Sequence, residues 1–189
     1  MNVYDFDDTI YNGESALDFF FFYLKKTPSL IKQLPRVLYV MLQYKRGKIT
    51  VDDALRKYAP LVEDYMRGIP DFNADVKEFW DKHMKKIRPF YADLQQPDDI
   101  VVTASLESSM AEICRRLGIK HCVGSRIDPA TGKVERLCMR SRKVPAFLEA
   151  FPDAHIDNFY TDSLKNDAPL AALADHVFEV KGNKIRQVR

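Results

Sequence analysis

Three short apolar runs in this chain each break off at a small or acidic polar residue. They are Asn2-Val3-Tyr4 at Asp5, Ile100-Val101-Val102 at Thr103, and residues 156–160 at Thr161-Asp162. Runs of this length, followed by helical periodicity, predict buried parallel strands of an α/β sheet. The helix after the second run has its own signals: Ser105 as N-cap, Glu107 in the first turn and Gly118 as the stop. Further strands are expected over 121–124 and 176–180, with a hairpin over 127–134.

Residues 13–95, between the first two strands, have a different character. Segments 15–24, 29–44, 51–67 and 75–87 carry helical periodicity, punctuated by Pro28, Gly47, Gly68, Pro70 and Pro89. A strand-to-strand crossover needs far fewer residues, so this span reads as an inserted all-helical unit. Residues 1–12 and 96–189 would form the α/β core around it. The near balance of 29 Lys+Arg against 27 Asp+Glu gives no reason to expect a nucleic-acid partner. Three cysteines without a CxxC pair suggest a reducing compartment. The longest uncharged apolar stretch, 37–44, is too short to cross a bilayer, and no secretory leader is expected ahead of Asn2. The expected setting is the cytoplasm.

Ligands of open parallel sheets bind at the carboxyl ends of the strands. Asp5, Asp7, Thr103 and Asp162 fall at or just beyond such ends, and Asp167 opens the next helix. Several carboxylates in one crevice repel one another unless a cation offsets them. Oxygen ligands without nearby His or Cys favour Mg²⁺. Lys143 opens a helix that can bring an ammonium to the same place, with Arg142 and Arg140 as competitors for that role. Carboxylates, Mg²⁺, a hydroxyl and a cation around one point suit phosphoryl transfer.

These residues resemble the motifs of the haloacid dehalogenase (HAD) superfamily. Asp5-Phe6-Asp7-Asp8-Thr9 is similar to its first motif, DxDxT, and Val101-Val102-Thr103 to its second. Lys143 corresponds to the third, and Thr161-Asp162-Ser163-Leu164-Lys165-Asn166-Asp167 to the fourth. The helical insert lies where the phosphoserine-phosphatase-like branch (subfamily IB) keeps its cap. The resemblance implies a Rossmann-like core with an inserted helical cap, and a phosphatase that takes a small phosphorylated metabolite. Asp5 would be the nucleophile that becomes an aspartyl-phosphate. Asp7 would be the general acid and then base. Thr103, Ala104, Lys143 and Asn166 would hold the phosphoryl group. Asp5, the Asp7 carbonyl and Asp162 would coordinate Mg²⁺, with Asp167 as ligand or support. Asp8 stands where the family more often has Gly, Ser or Lys, and is expected to be a turn residue pointing away. A phosphotransferase or mutase, and a non-catalytic phosphate-binding regulatory module, are the alternatives on the same fold.

Glu14 stands nine residues after Asp5, where the resemblance places a cap glutamate that receives a substrate ammonium. The matching cap arginine, which would pair with a substrate carboxylate, is replaced by Tyr58 in the best register. Poor activity on phosphoserine is therefore expected, and no motif names the substrate or the oligomeric state. The run Phe19-Phe20-Phe21-Phe22-Tyr23-Leu24 is expected to be buried between insert and core. Residues 25–48 carry seven basic residues and no acid, interleaved with apolar ones. A solvated surface is the favoured reading of that stretch, and an anionic membrane surface the weaker one.

Overall fold

The computed structural model describes residues 1–46, 48, 71–128 and 133–189. Its centre is a sheet of seven strands among the described residues, in the order β4-β3-β2-β1-β5-β6-β7. In chain order these are β1 (Asn2–Tyr4), β2 (Ile100–Leu106), β3 (His121–Ile127), β4 (Val134–Arg136), β5 (Ile156–Thr161), β6 (Ala174–Lys181) and β7 (Lys184–Gln187). The five strands from β3 to β6 are parallel, and β4 and β7 add antiparallel edges. Sequence patterning thus predicts the α/β class and the parallel sheet correctly. The chain leaves β1 towards β2 and later returns to its other side as β5. That reversal opens a crevice at the carboxyl end of β1, where such sheets bind ligands.

The helices are α1 (Ser15–Lys26), α2 (Leu34–Lys45), α3 (Phe72–His83), α4 (Phe90–Leu94), α5 (Glu107–Leu117), α6 (Lys143–Ala150) and α7 (Ala168–Ala171). Strand side chains alternate between two apolar layers, as the pleat requires. Val3, Ile100, Val102 and Phe159 join Phe147 of α6 on one face. Tyr4, Val101 and Tyr160 face Met110 and Ile113 of α5 on the other. The second layer continues without a break into Phe19, Phe22 and Tyr23 of α1 and Phe79 and Trp80 of α3. The aromatic run of α1 is accordingly split: Phe19, Phe22 and Tyr23 are buried, whereas Phe21 is 41% exposed. Trp80 stands edge-on to Phe6 and Tyr11, and its indole donates to the Ser109 carbonyl at 2.8 Å.

Several local expectations need correcting. β2 runs on through Thr103 to Leu106, with a register shift against β3 on the way. Leu106, not Ser105, is therefore the N-cap of α5, and no side chain caps it. Gly118 does end α5, in the left-handed conformation. The helical segment 29–44 is a 3-10 stretch, Pro28–Gln33, followed by α2. The segment 51–67 lies outside the described residues, as does the tip of the 127–134 hairpin. Helix α4 and strand β7 were not anticipated. β7 had a signal, because Gly182-Asn183 between Lys181 and Lys184 suits a two-residue hairpin turn, and Gly182 has φ +62°. The three cysteines are free.

The Trp80 anchor yields a stability prediction. Trp80→Ala removes a side chain that is 1% exposed and joins α3 to the sheet layer. Urea unfolding should show a loss of about 3–5 kcal/mol, the usual range for deleting a buried aromatic.

Candidate active site

The crevice at the carboxyl end of β1 is a cleft of about 830 Å³. Asp5, Asp7, Ala104, Lys143, Asp162, Asn166, Asp167 and Glu14 all line it. Thr103 is fully buried beside it, and its hydroxyl accepts the Ser105 N–H at 3.0 Å. Tyr58 lies outside the described residues.

Asp5 follows the last residue of β1, and its own N–H bonds the Tyr160 carbonyl of β5 at 2.9 Å. That bond fixes the carboxylate at the mouth of the strand. The Lys143 ammonium donates to Asp5 Oδ1 at 2.6 Å and lies 2.8 Å from Asp167 Oδ1. The three side chains are only 11%, 5% and 3% exposed, for Asp5, Lys143 and Asp167 respectively. Lys143 is therefore a cation paired with the first-motif aspartate. Burial pushes the Asp5 carboxyl well above the usual range, against the pull of Lys143. Lys143 is held above the ordinary lysine value, because Asp5 and Asp167 outweigh its own burial.

Asp7 is held differently. Its Oδ1 accepts the N–H of Ser15, the first residue of α1, at 2.6 Å, and its Oδ2 accepts the Ser105 hydroxyl at 3.0 Å. A helix N-terminus leaves N–H groups unpaired and carries a partial positive charge, so it suits a carboxylate. Glu14, the N-cap by position, makes no side-chain cap. Burial still raises the Asp7 carboxyl, with Ser15 and Ser105 opposing it. Ser15 and Ser105 are also 3.0 Å apart, hydroxyl to hydroxyl. Sequence patterning missed both serines as supports of Asp7.

The fourth motif is built as a tied loop. The Thr9 hydroxyl accepts the Asp162 N–H at 2.9 Å, which joins it to the first motif. The Thr161 hydroxyl donates to Asp167 Oδ2 at 2.7 Å. Both Asp167 oxygens are therefore engaged, one by Thr161 and the other by Lys143. Burial, then Asp8 and Asp167, raise the Asp162 carboxyl. Asp8 was expected to point away, yet it lines the cleft. It sits in the left-handed region, φ +54°, with its N–H on the Gly13 carbonyl and its Oδ1 3.9 Å from the Arg88 guanidinium. Arg140, one of the expected competitors of Lys143, also lines the cleft, as do Arg46 and Lys165, which the sequence does not mark for it.

Asp5, Asp7, Asp8 and Asp162 leave carboxylate charge in the cleft that Lys143 alone does not balance. The donor set is all oxygen, with no His or Cys lining the cleft among the described residues. It fits a hard divalent cation such as Mg²⁺, with Asp5 and Asp162 as its natural holders.

Removing the ammonium should be costly. Lys143→Met leaves two buried carboxylates without their cation, and urea unfolding at neutral pH should show a loss of about 3–5 kcal/mol. The raised Asp5 carboxyl disfavours the folded state as pH rises through its folded value. The deficit of the variant should therefore shrink as pH falls and Asp5 takes up a proton.

Comparisons with known proteins agree with the fold and the family of motifs. Residues 3–172 match the haloacid dehalogenase-like hydrolase family. Among curated protein sequences none matches significantly. A Bordetella pertussis Tohama I protein of unknown function superposes with a TM-score of 0.73 at 19% identity, over 91% of this chain and 85% of that one. A phosphoserine phosphohydrolase-like protein from Francisella tularensis gives 0.63 at 17% identity, over 94% and 86%. A phosphoserine phosphatase solved as a phospho-aspartyl intermediate analogue gives 0.54 at 17%, over 93% and 83%. At these identities the likeness is one of fold. With nine-tenths of its length matched by the family, the chain belongs to the haloacid dehalogenase-like hydrolases.

Proposed function

We propose that the chain is a Mg²⁺-dependent phosphomonoester hydrolase working through an aspartyl-phosphate on Asp5. One observation carries this reading: two aspartates, two residues apart, stand in one cleft in different surroundings. Asp5 has an ammonium on one oxygen, while Asp7, half-buried, accepts hydrogen bonds from a helix N-terminus and a serine hydroxyl. The adjacent ammonium favours the charged, attacking form of Asp5, and the Ser15 N–H and Ser105 hydroxyl hold Asp7 in place for proton transfer. The structural neighbours named as phosphoserine phosphatase or phosphohydrolase-like support phosphoryl chemistry on this fold.

In this mechanism a carboxylate oxygen of Asp5 attacks phosphorus, and the bond to the leaving oxygen breaks. Asp7, its carboxyl raised by burial, donates its proton to that oxygen. The same carboxylate then takes a proton from the water that attacks the aspartyl-phosphate, which releases phosphate and restores Asp5. Lys143 offsets negative charge on the phosphoryl group, helped by Ala104, Asn166 and the Thr103 hydroxyl. Mg²⁺, held by Asp5, Asp162 and the Asp7 carbonyl, would supply charge neutralisation between substrate and carboxylates. Asp167, both oxygens already engaged, would position Lys143 rather than bind the metal. The helical span 13–95 would act as the cap, with Glu14 meeting a hydroxyl or amine of the substrate.

Two measurements test this. Asp5→Asn should retain the fold and reduce p-nitrophenyl phosphate turnover to background, since an amide forms no acyl-phosphate. Asp7→Asn should lose about 10²–10⁴-fold on alkyl phosphates and less on p-nitrophenyl phosphate, whose leaving group needs little protonation. Full activity in Asp5→Asn would end the covalent mechanism.

The metal is tested separately. EDTA should abolish turnover, and Mg²⁺ added to the stripped protein should raise its melting temperature by binding the native state. Asp162→Ala should lose both responses. Full-rate hydrolysis by the stripped protein would contradict the metal assignment.

A further inference from the structure

Helix α2 exposes an apolar stripe where a globular protein normally presents polar residues. Leu38, Tyr39 and Leu42 are 46%, 54% and 44% exposed. With exposed Pro35 they follow i, i+3, i+4, i+7 spacing, which sets them on one side of the helix. Ile31, in the preceding 3-10 stretch, is 63% exposed. The Arg46 N–H bonds the Leu42 carbonyl, so the helical path continues and puts Arg46 one turn beyond Leu42 on that side. Arg46 also lines the catalytic cleft. The apolar stripe therefore ends at the cleft.

The charge of this region selects its partner. Residues 25–48 hold seven bases and no acid. Lys26 is committed to Asp75 and Glu78 on α3, while Lys32, Arg36, Arg46 and Lys48 are exposed on and around the stripe. A second copy apposed through the same face would bring these bases against their equivalents. An anionic bilayer instead accepts both components, apolar side chains into the acyl boundary and lysine and arginine among the headgroups. No helix among the described residues is long and apolar enough to cross a membrane, so the contact would be peripheral.

We propose that the exposed face of α2 docks on an anionic lipid surface and sets the Arg46 side of the cleft against the headgroup layer. Docking by this face stands independently of whether the cleft is a phosphatase.

The full chain should co-sediment with phosphatidylcholine vesicles containing a third phosphatidylglycerol, but not with phosphatidylcholine alone. Binding should weaken as salt rises, because the attraction is screened. The double substitution Leu38→Glu and Leu42→Glu should reduce binding at least tenfold. Its p-nitrophenyl phosphate turnover without vesicles should match that of the parent. The pair Lys32→Glu and Arg36→Glu, which leaves the apolar stripe intact, should weaken binding comparably and serves if the first variant misfolds. Absence of binding at low salt overturns the proposal. So does binding that both folded variants retain, or a dimer of the parent chain that the leucine substitutions dissolve. Loss of turnover in the parent with vesicle binding intact would count against the phosphatase reading alone.

Discussion

The Lys143 ammonium between Asp5 and Asp167 is the interaction on which the site depends. Withdrawing an ammonium from water costs several kcal/mol, and Lys143 is the first residue of α6, where the helix dipole also disfavours a cation. A single carboxylate rarely offsets both penalties. Two do so here, and they come from opposite ends of the sequence: one after β1, the other at the N-cap of α7. The triad thereby fixes the separation of β1, α6 and the loop after β5. Thr161 holds the far side of Asp167 and Thr9 holds the backbone of Asp162, so the same few bonds lock the first and fourth motifs together.

Asp7 couples the site to the helical insert. Its carboxylate occupies the place an N-cap side chain would normally take, so α1 begins only where Asp7 can receive the Ser15 N–H. The chain reaches that point through a tight reversal. Asp8 and Gly13 both have positive φ, and the Asp8 N–H closes on the Gly13 carbonyl. The Ser15–Ser105 contact then ties the start of α1 to the end of β2. From there α1 and α3 share one apolar layer with the sheet. The outer helices and Asp7 are thus held by continuous packing and hydrogen bonding.

The strand ends were legible because parallel strands buried on both faces read as uninterrupted apolar runs. Asp5, Asp7, Asp162 and Asp167 are therefore locatable in the sequence alone, and so is Lys143, apart from its competition with two neighbouring arginines. Competing local chemistry hid the rest. Ser105 precedes an acidic first turn, which is what an N-cap looks like, yet the strand outlasted Thr103 and left its hydroxyl for Asp7. Asp8 has the composition of a turn residue and does sit in a left-handed turn, yet it also lines the cleft. Arg46 lies far from every motif in sequence and reaches the cleft through the course of α2. Long-range placement of that kind leaves no local periodic trace.

An acid-lined cleft is a poor receptor for an anion, and the arrangement of charge by depth answers this. Asp5 and Asp167 are buried, whereas Arg46 and Lys165 are exposed residues of the same cleft. An approaching phosphate dianion meets the outer bases first, where concave low-dielectric walls strengthen their attraction. The carboxylates act at short range, and there the single charge of Lys143 is shared between two of them, Asp5 and Asp167. The remaining charge, on Asp5, Asp8 and Asp162, is what a divalent cation would balance. Selection among anions would then rest with the outer bases, because the inner groups see only the phosphoryl oxygens common to every candidate.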